Sequence, residues 1–196
     1  MYQFLEYVVR DADSYWTGVS RAAGLADPQV TFTFPAPGES YASGCGATND
    51  TTMMYCPSDD TIYFSQKMAY DLWTGIFVGP DGQHFNGAGG DFAVAYLVAH
   101  EFAHSIQAER GLTKAQYGTP RYEQHADCWS GVWARSALSR NLLDAGDVQE
   151  GLNGAYMAGD SQYANPEHHG TPQERVNAFW AGYSGGTPQS CNGYLQ

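Results

Sequence analysis

The stretch FAVAYLVAHEFAHSIQA, from Phe92 to Ala108, holds one acidic residue, Glu101, and no lysine or arginine. Its apolar residues fall on every side of a helix, which predicts a helix buried all round. A carboxylate in such a place costs several kcal/mol unless a cation compensates it. The same stretch supplies the means. His100 and His104 are four apart and share a helix face, so both imidazoles can meet one ion with Glu101 beside it, as the His-Glu-x-x-His pattern requires. The plainer alternative is a hydrogen-bonded His/Glu group in the core.

A catalytic zinc takes three protein ligands and one water, so a third ligand must come from elsewhere in the chain. Glu123-Gln124-His125-Ala126-Asp127 offers it. Glu123 and Asp127 share a helix face. We assign Glu123 as the third ligand and Asp127 as acceptor of the free N–H of His100, a bond that would fix the ligand's tautomer. His125 points off that face. Asp127 as the ligand in place of Glu123 stays open on spacing alone.

Around this centre, residues 3 to 24 have helical periodicity, and so does the stretch from Pro120 to about Leu143. Val30 to Phe34 alternates like a strand, and Thr52 to Tyr55 and Thr61 to Phe64 form a strand pair across a Cys-Pro-Ser-Asp-Asp turn. Residues 66 to 74 and Asp147 to Met157 are helical. Gly79 to Gly90 is a polar, glycine-rich loop. Thr171-Pro172-Gln173-Glu174 opens the last helix with a capping box. Strands early and helices after them argue for an α+β chain, read as a single domain over residues 1–196.

The formal net charge of −12 repels phosphate backbones, which argues against nucleic acid as a partner. No apolar run is long enough for a transmembrane segment. Four cysteines, Cys45, Cys56, Cys128 and Cys191, fit two disulfides, of which Cys45–Cys56 and Cys128–Cys191 are favoured. Disulfides point to an extracellular, cell-surface or periplasmic setting for a secreted chain, although no signal sequence is evident. Trp129 and Trp133, four apart on a helix, are read as core rather than as a sugar platform.

The segments Val98 to Gln107 and Glu123 to Ala134 (EQHADCWSGVWA), with Gly159-Asp160, His169-Gly170-Thr171, Gln173-Glu174-Arg175 and the cysteines, resemble the bacterial neutral zinc metallopeptidases, a gluzincin-type family. The resemblance covers roughly residues 41 to 194. It implies a zincin-like fold, mostly helical with a small antiparallel sheet, and one catalytic Zn2+. It also implies hydrolysis of a peptide or protein substrate. Its E-x-x-A-D segment carries over onto Glu123 as ligand and Asp127 as support. Ala103 and His125 depart from the common pattern without removing a ligand.

On this reading Glu101 is the general base that takes a proton from the zinc-activated water. A second group must stabilise the oxyanion. His169 is the first candidate, oriented by Asp160. His168 follows, then Tyr156 and Tyr163. Substrate is expected to add as a strand along Thr61 to Phe64. Two other functions use the same residues: an inactive zinc-containing binding module, and a metal hydrolase of a non-peptide amide.

Overall fold

The computed structural model describes residues 1–79, 82, 84 and 89–196. Part of the expected Gly79 to Gly90 loop lies outside the described residues. The elements in chain order begin with α1 (Tyr2–Ala22), β1 (Thr31–Thr33), β2 (Ala42–Ser43), β3 (Gly46–Ala47), β4 (Met53–Cys56) and β5 (Thr61–Phe64). Helices follow: α2 (Gln66–Trp73), α3 (Asp91–Glu109), α4 (Lys114–Tyr117), α5 (Thr119–Ser139), α6 (Asp147–Ala158), α7 (Pro172–Gly185) and a closing 3-10 turn, Pro188–Leu195. The described residues are mostly helical with two small sheets.

Helix α3 is the axis of the core. Every residue from Phe92 to Gln107 is buried, as its lack of charge demands. It packs against α1, α2, α5 and α6, with β4 laid alongside. Its first turn is held by Glu150 of α6, whose Oε2 accepts the Phe92 N–H at 3.0 Å, a carboxylate at the positive end of a helix.

The larger sheet has the order β1-β5-β4. A short turn joins β4 to β5, so they pair antiparallel, Met53 opposite Phe64. Strand β1 pairs parallel with β5, Thr31 opposite Thr61, so this sheet is mixed rather than wholly antiparallel. The reason is connectivity: β1 reaches the far side of β5 only after a long excursion through β2, β3 and β4, which frees its direction from hairpin geometry. This topology corrects one expectation. Thr61 to Phe64 is the central strand, with β1 and β4 on its two sides, and cannot accept a substrate strand. The edges are β1 and β4, and β4 is the one that runs beside α3.

Helices α5 and α7 approach so closely that glycine is needed on both. A Cβ on Gly182 would lie 1.8 Å from the Cys128 carbonyl oxygen, and one on Gly131 would lie 2.1 Å from that of Phe179. The Cys128–Cys191 disulfide fastens the closing turn to α5, and Cys45–Cys56 fastens the β2–β3 hairpin to β4. Trp129 and Trp133 are buried. Helix α5 ends at Ser139, short of Leu143, because Asn141 takes a left-handed φ of 58° that stops the helix. The capping box of α7 forms as its sequence requires: Thr171 Oγ1 accepts the Glu174 N–H, and Glu174 Oε2 accepts the Thr171 N–H.

Candidate metal centre

Helix α3 presents His100 and His104 to one point, and the start of α5 brings Glu123 to the same point. The two Nε2 atoms are 3.0 Å apart. Glu123 Oε2 lies 3.2 Å from that of His100 and 3.3 Å from that of His104. Four ligands at tetrahedral corners about 2.0–2.1 Å from a zinc ion are separated by about 3.3 Å. The trio therefore already has the spacing of three corners.

The hydrogen bonds behind the ligands fix which nitrogen faces inward. His100 Nδ1 lies 2.9 Å from Asp127 Oδ1. A carboxylate only accepts, so this nitrogen carries the proton. His104 Nδ1 lies 2.6 Å from Gln107 Oε1. The Gln107 amide is oriented by its other end, whose Nε2 donates to the Tyr122 carbonyl at 2.9 Å and to His125 Nδ1 at 2.9 Å. With both imidazoles neutral, as metal ligands are, both Nε2 atoms turn bare lone pairs toward a carboxylate oxygen. Three buried lone pairs aimed at one point repel one another unless a cation sits among them. Two imidazoles and one carboxylate suit zinc, so the residues present fit the ion. His100, His104 and Glu123 form a site for a single Zn2+.

Asp127 is fully buried and serves three partners. Besides His100, it accepts from Tyr96 Oη at 2.5 Å and from both Nε and Nη2 of Arg175, the latter at 2.8 Å. Burial opposes ionisation of Asp127, but Arg175 and His100 outweigh it and hold the carboxyl below its usual range. Arg175 is itself buried, donates Nη1 to the Ala158 carbonyl at 3.1 Å and reaches to 4.0 Å from Glu123 Oε2. Lys114 Nζ lies 3.1 Å from Glu123 Oε1, which leaves Oε2 as the inward oxygen. The Tyr122 ring stacks on His104 with centroids 4.9 Å apart.

Spacing alone did not reveal the roles of Tyr96, Gln107, Lys114, Tyr122 and Arg175. Their partners lie on other elements or across a turn. The one available signal was that Arg175 and Gln107 fall inside segments already singled out. His125 is not at the ion site. It is buried behind Gln107, and burial, with Arg110 and His104 nearby, lowers its pKa to about 3, so it stays a neutral acceptor.

Glu101 is buried beside the ligands, and its Oε2 accepts the Tyr55 backbone N–H of β4 at 2.6 Å. Both line a cleft of about 780 Å³ together with the three ligands, Arg175 and His169. His168 is turned away: its Nδ1 is 2.5 Å from Asp160 Oδ1 and its ring packs on Tyr163. Asp160 Oδ2 accepts the His169 backbone N–H at 2.9 Å and lies 3.6 Å from its Nδ1. Asp160 therefore grips the imidazole of His168 and the main chain of His169. Tyr156 and Tyr163 are exposed and do not line the cleft.

Residues 1–194 match the family model described as "Putative neutral zinc metallopeptidase". The chain belongs to this family. Among curated relatives of this chain, "Uncharacterized protein YpfJ" of Escherichia coli strain K12 is 32% identical over 173 residues, covering 76% of this chain and 57% of the relative. "Uncharacterized protein Rv2575" of Mycobacterium tuberculosis strain H37Rv is 33% identical over 178 residues, covering 76% and 58%. The chain thus spans less than two thirds of the length of these relatives. No solved structure matches it.

Proposed function

We propose that residues 1–196 act as a single catalytic domain that hydrolyses peptide bonds within a peptide or protein chain. The observation that carries this reading is the position of Glu101. It stands beside three convergent ligand atoms, in the cleft and hydrogen-bonded to the edge of β4.

A zinc ion held by His100, His104 and Glu123 supplies Lewis acidity and lowers the pKa of water. The chain's own residues do the rest. Strand β4 offers its edge to an extended substrate. The Tyr55 N–H faces Glu101, and strand alternation turns the peptide groups of Met53 and Tyr55 to that same side. The cleft follows α3 from Leu97 to Ala108, roughly 16 Å of helix, which matches about five extended residues. Glu101 takes the proton of the attacking water and delivers it to the leaving amine. His169 faces the same cleft, and burial pushes its pKa down, so near neutral pH it is an uncharged N–H donor suited to the developing oxyanion. Asp127 and Asp160 act as positioning residues, the first through His100 and the second through the loop of His169. Two disulfides support an extracellular or periplasmic setting.

The test is a peptide-library digest with mass-spectrometric readout, run with and without chelator, beside metal analysis. The expected result is chelator-sensitive internal cleavage that Glu101→Gln abolishes while one zinc per chain remains. His169→Ala should retain zinc and lower kcat by about 10²–10³. Hydrolysis by metal-replete Glu101→Gln would remove Glu101 from its role. Bound zinc with no cleavage by the unaltered protein would mark a binding module instead.

A further inference from the structure

The chain has five methionines, and all except Met1 line the one cleft that holds the ion site. They arrive from three separate elements: Met53 and Met54 from β4, Met68 from α2 and Met157 from α6. Leu72 of α2, Leu97 of α3 and Phe77 line this wall as well. Leu97 lies one helical turn before Glu101, so this wall begins beside the reacting centre. The charged groups of the cleft lie elsewhere along it: the ligands, Glu101, His169 and Arg175 at the centre, and Lys114 on the side of Ala108 and Leu112. Among the described residues, no charged side chain lines the wall at the Leu97 end.

We propose that this end of the cleft is the pocket for a substrate side chain flanking the scissile bond, and that it selects large apolar residues, aliphatic and aromatic alike. The proposal rests on the peptidase reading above and names the substrate class that site takes. Four elements build the wall, and it is continuous with the ion site, so a side chain reaching into it remains attached to a peptide bond at the centre. Methionine is unbranched and polarisable, and it reshapes to fit occupants of different outline. Such a wall accepts leucine, phenylalanine or methionine with similar ease. A lysine, aspartate or glutamate would be desolvated there without a partner. Glycine would leave the pocket empty.

The test uses the zinc-loaded protein and two sets of peptide hydroxamates, which chelate zinc, with the variable side chain on one side of the chelating group in the first set and on the other side in the second. Affinities are read by calorimetry, so turnover is not needed. In one set the leucine and phenylalanine compounds should bind about tenfold to a hundredfold more tightly than the glycine compound, the effect of burying such a side chain. Met53→Glu should shrink that difference, and Met157→Leu, which keeps the wall apolar, should preserve it. Library digests should show the same apolar preference at one position beside the cut. Equal affinities within both sets would overturn the pocket while leaving the peptidase reading standing. If no hydroxamate bound, the ion site and the pocket would fail together.

Discussion

At the scale of single residues the centre is a chain of obligations ending at Asp127. The ligand His100 is held by Asp127, and Asp127 by Arg175 and Tyr96. Asp127→Asn keeps the shape and removes the charge, leaving the Arg175 guanidinium buried without its counter-ion. We expect a loss of about 3–5 kcal/mol in urea unfolding, as when one partner of a buried pair is removed. Zinc affinity, measured by competition with a chelating dye, should fall about 10- to 100-fold. Asp160 gives a pH signature. Burial opposes its ionisation, but the His169 and Gln162 N–H groups and the His168 imidazole prevail and hold its pKa at about 2. A carboxyl depressed in the folded state stabilises fully above its unfolded pKa, near 4, and the contribution vanishes as pH falls toward 2. Unfolding midpoints should therefore show Asp160→Asn weaker than the parent at pH 6 and the two converging near pH 2. A constant gap across that range would count against the assignment.

At the scale of elements, the crossing of α5 and α7 sets the site. Helix α5 carries Glu123 and Asp127, and α7 carries Arg175, so the distance between these helices decides whether the guanidinium reaches the carboxylate. Gly182 permits that distance, since a Cβ there would collide with the Cys128 carbonyl. Gly182→Ala forces the helices apart. It should lower stability by about 1–3 kcal/mol or somewhat more and weaken zinc binding as well, seen in thermal melts and dye competition on the same samples. Unchanged zinc affinity would mean that the Asp127–Arg175 pair tolerates the shift. Element identity was largely legible in the sequence. The HEFAH helix could be placed because an apolar run with one carboxylate has few ways to be buried. Strand roles were not legible: nothing local to Thr61–Phe64 shows that β1 lies on its far side, and so the edge strand passed to β4.

For the whole molecule, the ion joins segments that are distant in sequence, α3 and α5, inside one core. Zinc bound to the native state alone stabilises it by mass action, about 4 kcal/mol at a thousandfold excess over Kd. For a chain of this size that corresponds to a rise in Tm of roughly 10 °C. Removing zinc with a chelator should lower Tm by about that amount, and stoichiometric zinc should restore it in calorimetry. A Tm indifferent to chelator would argue that the three lone pairs are reconciled by protonation rather than by metal.

The sequence by itself determined the buried helix, the two imidazoles on its face and the carboxylate between them. It also supplied Glu123 and Asp127, because helical periodicity acts over four residues and needs no knowledge of the fold. It put His169 first as candidate oxyanion partner, ahead of His168, Tyr156 and Tyr163. Tertiary structure decided the rest. It turned His169 toward the cleft and His168 onto Asp160, brought Arg175 48 positions along the chain to Asp127, and gathered four methionines from three elements around one cavity. Those relations depend on how helices and strands pack across the core, and no local pattern of residues encodes a distance between elements.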